Sequence, residues 1–366
     1  MKPIAAPPPT RLEPAPRARE TLVSLVSDLM RRSWLRVDAR HYLDDYEASQ
    51  WLPPTPLREL QLAKLRRLVW HCFLNVPWYT ARIGKTLQPS EIERLEGLSQ
   101  LPAPRAEERQ DERAFVSTTK EAIADERMTA GRRGPALRVF IDADALERRM
   151  AVRLRVERWA GAPPGKIVAI WGREALRPER PLDLAEVMAL RTAMQRVRPA
   201  VVTGPGPALA ALAESLDPEI ARAQPGLKAL LGRFNLPGGV HALEVSGVIA
   251  RGEDPDNGGS VLAEKCGARL SRWYAAAEVG VIAATCDRVP SPVAMHVQAD
   301  HLLVEILGEK GEVLPPGAVG RIHVTDLHNY AAPYLRHDLA DVGRLLPHPC
   351  PCGRALPLLE WKGRAT

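Results

Sequence analysis

The sequence predicts an α/β fold, in which mixed sheets flanked by helices carry a β-rich C-terminal portion. Three observations lead there. Apolar runs bounded by Gly and Pro alternate with amphipathic helical stretches through the middle of the chain, which is the signature of a largely parallel sheet. Past residue 290 the pattern changes to short strands separated by turns. The 34 prolines in 366 residues, about 9% against a usual ~5%, argue for many turns and against a simple helix bundle.

Residues 1–20 are rich in Pro, Arg and Glu and are expected to be a disordered tail. A helical N-terminal region follows over 21–127. Within it, residues 20–36 and "LRELQLAKLRRLVWHCF" (57–73) repeat apolar residues at three and four, and Pro77 ends the second helix. Short helices and loops are expected over 85–127. An α/β core spans 128–289. It opens on the glycine loop "MTAGRRGPALRV" (128–139) and passes from strand to long helix in "PALRVFIDADALERRMAVRLRVERWAG". A buried strand in "GKIVAIWG" (165–172), a helix in "LAEVMALRTAMQRVR" (184–198) and a strand, turn and helix in "PAVVTGPGPALAALAESL" (199–216) continue the alternation. The β-rich portion covers 290–366, and no internal repeat is visible.

The net charge of +6 arises from 50 basic and 44 acidic residues with no dense basic block and few aromatics. That balance favours anionic small molecules over nucleic acid. No stretch approaches 18 uncharged apolar residues, and prolines interrupt the N-terminus where a signal peptide needs an apolar helix, so a cytoplasmic protein without a membrane partner is expected. Five cysteines, an odd number widely spaced, direct attention to metal binding rather than disulfides.

Four motifs can carry chemistry, and each has a plainer reading. Thr129, Gly131 and Gly134 suit a turn that wraps backbone N–H groups around an anion, although Arg132 and Arg133 stand where hydroxyl residues are usual. Tyr274 and Glu278, four apart after a strand-like run, are a base-stacking ring with a ligand-orienting carboxylate, or else a core Tyr and a solvated Glu. Arg336, His337, Asp338 and Asp341 crowd six residues; Asp341 can accept ribose hydroxyls and Arg336 can hold a phosphate or carboxylate, or the loop is simply solvated. Cys350 and Cys352, with Cys286 and His296 upstream, can complete a tetrahedral set, or remain thiols in a core.

The order of these segments, from "RLVWHCFLNVPWYTARI" through the glycine loop, "YAAAEVGVIAATC", "MHVQADHLLVEIL" and "YLRHDLADVGRL" to "CPCGRALPLLEWKGR", resembles the phenylacetate-CoA ligase family, CapK-like branch, of the adenylate-forming enzymes. The match runs from about residue 57 onward. The resemblance implies the large N-terminal domain of such an enzyme. It also implies activation of a carboxylic acid with ATP and Mg²⁺ to an acyl-adenylate, then transfer to coenzyme A or a carrier protein. By position it makes Tyr274 the ring on adenine, Glu278 the glutamate beside Mg²⁺ and ATP, Asp341 the ribose acceptor, Arg336 a conformational or phosphate-side arginine, and Cys286, His296, Cys350 and Cys352 a structural Zn²⁺ site.

Three departures accompany it. Ala130, Arg132 and Arg133 replace hydroxyls of the family's phosphate loop, Ala275 and Ala277 replace its glycine and threonine, and the sequence ends at "GRAT", where the family's small C-terminal lid with its lysine begins. The resemblance therefore implies either an impaired or partner-completed ligase, the lid being supplied by a separate chain, or a non-catalytic nucleotide-binding or scaffold pseudoenzyme.

Overall fold

The computed structural model describes residues 36–86, 89, 92–105, 107–119, 123–129, 136–162, 168–170, 198–215, 245–251, 256–291 and 293–365. The expected tail and the helical stretches over 20–35 and 184–197 lie outside them. Helix α1 (Arg36–Ser49) leads into α2 (Pro54–Asn75), whose first turn carries Pro54, a residue with no N–H to waste there. Val76 leaves the helical region at φ −115°, and Pro77 opens α3 (Pro77–Thr86). The proline thus ends one helix and starts the next.

Strands β1 (Ile123–Met128) and β2 (Arg138–Asp142) form a two-stranded antiparallel hairpin around the glycine loop. The sequence reading assigned 123–127 to helices and loops. This strand pairs through its backbone while "IADERM" keeps no position fully buried, so its side chains carry no alternation to read. Helix α4 (Ala143–Trp159) follows directly, capped by Asp142, whose carboxylate accepts from the Ala145 N–H at 2.8 Å. Its inward stripe is Ala145, Arg149, Val152, Val156 and Trp159, a run of four- and three-residue steps. One of those core positions is an arginine.

The remaining described strands make one ten-stranded sheet in the order β3 (Val168–Ile170), β4 (Val201–Pro205), β5 (Gly247–Arg251), β6 (Arg269–Ala276), β7 (Gly280–Ala284), β8 (Ala294–Val297), β12 (Leu358–Arg364), β11 (His337–Leu345), β10 (Gly320–Asp326) and β9 (Leu302–Leu307). Strands β3 to β6 are parallel, as the alternation predicts, and every pairing from β6 onward is antiparallel. The β-rich portion therefore extends the same sheet. Helices α5 (Gly206–Ser215) and α6 (Asp256–Cys266) pack together beside β4 and β5 at a separation only glycine permits. A Cβ on Gly258 would lie 1.9 Å from the Gly206 carbonyl.

The N-terminal helices are fastened to the sheet by a buried ion pair. Arg155 of α4 meets both Asp300 oxygens at 2.5 and 2.8 Å, with Ser49 of α1 on the same carboxylate at 2.6 Å. Removing one partner of such a pair leaves an uncompensated buried charge, a loss of ~3–5 kcal/mol. No described helix is long and apolar enough to cross a membrane.

Candidate functional site

Two clusters of polar side chains collect at the edges and turns of the antiparallel half of the sheet. The first begins on β6, where a register shift between Tyr274 and Ala275 re-aims the strand. The Tyr274 hydroxyl donates to Asp341 Oδ2 at 2.7 Å, and Arg364 Nη1 lies 3.2 Å from Asp341 Oδ1. Asp341 and Arg364 are cross-strand partners on β11 and β12, beside a second bulge at Val342. Burial, then the Asp341 carboxylate, pushes the Tyr274 phenol well above its ordinary range, so it remains a donor. Immediately before Asp341, Ala340 holds φ +54°, and Arg336 holds φ +47°. Non-glycine residues there store strain, which collects at functional sites.

Glu278 occupies the turn joining β6 to β7, and its carboxylate lies 3.9 Å from His337 Nε2. Burial alone would raise this carboxyl, but the His337 imidazole and the Arg149 charge outweigh it and the net direction is down. Its backbone carbonyl accepts from Arg149 Nη2 at 2.5 Å, and the same nitrogen reaches Asp326 Oδ2 at 2.7 Å.

Arg336 is turned away from this cluster. Its buried guanidinium donates to Glu305 of β9 at 3.1 Å and to the Ser99 carbonyl at 3.0 Å, which ties β9 to the N-terminal region. Thr129 continues the β1–β2 ladder: its N–H donates to the Leu137 carbonyl at 2.9 Å and its Oγ1 accepts from the Leu137 N–H at 2.8 Å. Gly131, Arg132, Arg133 and Gly134 lie outside the described residues.

The second cluster gathers Cys286, His296, Cys350 and Cys352, whose ligand atoms all lie within 4.8 Å of one another. Cys286 Sγ is 3.7 Å from Cys350 Sγ, and Cys352 Sγ is 3.3 Å from His296 Nε2. These separations suit one ion, since a tetrahedron with Zn–S bonds of ~2.3 Å has S···S edges of about 3.75 Å. His296 Nδ1 donates to the Leu356 carbonyl at 3.1 Å, which leaves the Nε2 lone pair facing the thiols. Backbone N–H groups of Arg288 and Arg354 point at Cys286 and Cys352 sulfur, each at 3.4 Å, as thiolates require. Without an ion, burial pushes the Cys286 thiol up to about 12 and His296 down to about 4. Cys352 moves down: desolvation, the largest influence, raises it, but the hydrogen bonds from Arg354, Cys350 and Cys286 together outweigh that.

Two residues escaped the sequence reading. Arg364 carried no motif of its own; only the β11–β12 register places it on Asp341. Arg149 sits in a helix with many arginines, and its burial was the missing signal.

With this geometry described, similarity to known proteins can be placed on it. No family model matches the chain. The phenylacetate-coenzyme A ligase of Thermus thermophilus is 25% identical over 324 residues, covering 83% of this chain and 69% of that protein. That of Aromatoleum evansii is 24% identical over 334 residues, with 83% and 70% covered. Among solved structures, a 2-hydroxyisobutyryl-CoA ligase in an open conformation with 2-HIB-AMP and CoA superposes with a TM-score of 0.67 at 19% identity, covering 86% of this chain and 76% of that one. In its thioesterification state with the same ligands the TM-score is 0.69 at 18% identity, covering 86% and 69%. The chain thus has the fold of an acyl-CoA ligase and is similar in sequence to phenylacetate-CoA ligases.

Proposed function

We infer that this protein is an adenylate-forming ligase homologue of the phenylacetate-CoA ligase type. Its carboxylic acid substrate is activated through an acyl-adenylate, with CoA or a carrier thiol as acceptor. The observation that carries this reading is the Tyr274–Asp341–Arg364 cluster, in which a ring, a ribose-accepting carboxylate and a cation converge from three strands beside the Glu278 turn. Tyr274 addresses the adenine, Asp341 accepts the ribose hydroxyls once Arg364 and Tyr274 yield to them, and Glu278 is the carboxylate on the phosphate side. Glu278 fits a magnesium role, because it is ionised, nearly buried and fixed at its carbonyl. Bound Mg²⁺ would neutralise charge on the triphosphate. Arg336, engaged with Glu305, takes the conformational role rather than a phosphate contact.

The Cys286–His296–Cys350–Cys352 set is assigned to structural zinc, in keeping with its donor types and closed coordination. The CapK-like branch and a cytoplasmic location belong to the same reading. A non-catalytic nucleotide-binding pseudoenzyme is the second reading. It is favoured by Arg132 and Arg133 in the phosphate loop and by the hydroxyl-free Ala275 and Ala277 flanking the Tyr274 site.

Calorimetry with AMP and with ATP, followed by pyrophosphate release across aryl, fatty and hydroxy acids, separates the two. AMP binding that Asp341→Asn weakens about tenfold or more is expected, since a carboxylate on a ribose diol makes charge-assisted bonds worth ~1.5–3 kcal/mol. Binding of neither nucleotide would reject the ligase and the nucleotide-binding pseudoenzyme and leave only a scaffold. AMP binding without pyrophosphate release for any acid would leave the pseudoenzyme.

A further inference from the structure

Arg149 stands at a position of α4 that the helix otherwise reserves for core residues, between Ala145 and Val152 on the inward stripe. An arginine there is costly unless its donors are used. Nη2 serves two acceptors, the Glu278 carbonyl at 2.5 Å and Asp326 Oδ2 at 2.7 Å, while Nε and Nη1 have no partner among the described residues. The stem reaches the turn by passing Gly280, where a Cβ would lie 3.4 Å from Arg149 Cγ and where φ is +80°. Both residues are shaped to this contact.

The other end of the same helix is tied to the glycine-loop hairpin. Asp142, last residue of β2 and N-cap of α4, accepts from the Tyr330 N–H at 2.7 Å and the Ala331 N–H at 3.1 Å. Asn329 donates to the Phe140 carbonyl at 2.8 Å and Asp326 accepts from the His328 N–H at 3.0 Å. The segment 326–331 therefore binds the hairpin base through Asp142 and Phe140, and it binds the Glu278 turn through Asp326 and Arg149. Helix α4 and this segment form a closed frame with the Asp142 end of the β1–β2 hairpin on one side and the Glu278 turn on the other.

We propose that Arg149 is a positioning residue that fixes the Glu278 turn to helix α4 and the segment 326–331, so that the Glu278 carboxylate meets the magnesium of a nucleoside triphosphate. The proposal rests on the reading of Glu278 given above. The Arg149 partners are the Glu278 carbonyl and Asp326, so it acts on the backbone from which Glu278 projects. Lysine at 149 keeps one charge for Asp326 but offers a single point donor, and cannot also hold the Glu278 carbonyl in the same geometry.

The test is a double-mutant cycle on the full chain, read by calorimetry as the gain in ATP affinity on replacing EDTA with Mg²⁺. Arg149→Lys and Glu278→Gln are each expected to reduce that gain about fivefold or more. The double variant should fall no further than Glu278→Gln alone, within about twofold, because both act through one carboxylate. AMP affinity in EDTA should stay within about twofold of the parent for Arg149→Lys, which a general loss of fold would not allow. Should Arg149→Lys not fold, Arg149→Met/Asp326→Asn removes both buried charges together, keeps an oxygen for the His328 N–H, and enters the same cycle. Additive losses, or equal losses of AMP and Mg²⁺-ATP binding, would overturn the positioning role alone. A parent with no magnesium-dependent gain would overturn the reading of Glu278 and this role with it.

Discussion

Two imidazoles, His301 and His328, stack in the core with ring centroids 5.2 Å apart and planes 15° from parallel. Tyr46 of α1 bonds His301 Nδ1 at 2.8 Å. Lys64 of α2, Arg148, Arg149 and Arg155 of α4, and the Asp300 backbone surround the pair. Burial first, and then the cations, holds both histidines below their ordinary value, while Lys64 is itself lowered by burial to about 8. In the unfolded chain both titrate near 6.5, so below that pH the unfolded state takes up protons that the folded state refuses. The contribution of the two rings is therefore expected to be level above about pH 6.5 and to lower stability as pH drops toward 5, with a limiting slope of ~1.4 kcal/mol per pH unit for each histidine. Urea midpoints at pH 7.5, 6 and 5 measure it, and His328→Gln should remove about one proton from the slope. A slope unchanged by that substitution would show that these rings do not govern acid stability. None of this was legible in the sequence, where His301 and His328 belong to separate strand-and-turn patterns and carry no spacing. Cys286, His296, Cys350 and Cys352 were legible as a set because soft donors are few in this chain and draw attention wherever they fall.

At the scale of elements, the turn over 350–355 links the Cys/His cluster to the first helices. Gly353 takes φ +85°, which lets Cys350 and Cys352 face the same point. The Ala355 N–H donates to the Gln50 carbonyl at 3.1 Å, and Arg354 Nε reaches Gln50 Oε1 at 2.7 Å. The Arg354 guanidinium lies between the rings of Trp51 and Trp159, 5.0 and 4.7 Å from their centroids, and Trp159 sets its edge to His296. A metal held by the four residues therefore stiffens the corner between α1 and α2 as well as its own turn. Purified protein is expected to hold about one equivalent of zinc, because thiolate ligation contributes directly to folding free energy. Cys352→Ser should lower occupancy to well below half and the melting temperature by ~5 °C or more, with a change in Trp fluorescence. Metal-free parent protein of unchanged stability would remove the zinc assignment. Helices and buried strands were legible because their periods are set by burial, as in α2, α4 and β4. Strand β1 was not, since half-exposed charged residues leave no period, and the Asp341–Arg364 pairing depends on a register that no local pattern encodes.

For the molecule as a whole, what matters is whether a triphosphate can reach across from Tyr274 and Asp341 to the glycine loop. Both ends of the hairpin are held: Thr129 closes the loop end on Leu137, and Asp142 and Phe140 at the other end are bonded to residues 329–331. Between its strands the sequence "AGRRG" carries two guanidiniums where the resemblance leads one to expect hydroxyls. If Arg132 and Arg133 obstruct the phosphates, Arg132→Thr/Arg133→Thr should raise ATP affinity by about threefold or more and leave AMP affinity and melting temperature unchanged, since a glycine-flanked turn accepts smaller side chains. If they have become phosphate ligands, the same change deletes two charge-assisted contacts worth ~1.5–3 kcal/mol each, and ATP binding should fall tenfold or more while AMP again stays constant. Obstruction is the expected outcome. Side chains adjacent in sequence seldom converge on one ligand, and Ala277 beside Glu278 supplies no hydroxyl in place of the family's threonine. Calorimetric titration of ATP and AMP into parent and double variant decides it, with AMP as the internal control for an intact base and ribose site. A tenfold fall in ATP affinity at constant AMP affinity would reverse this reading and make the arginine pair part of the phosphate site.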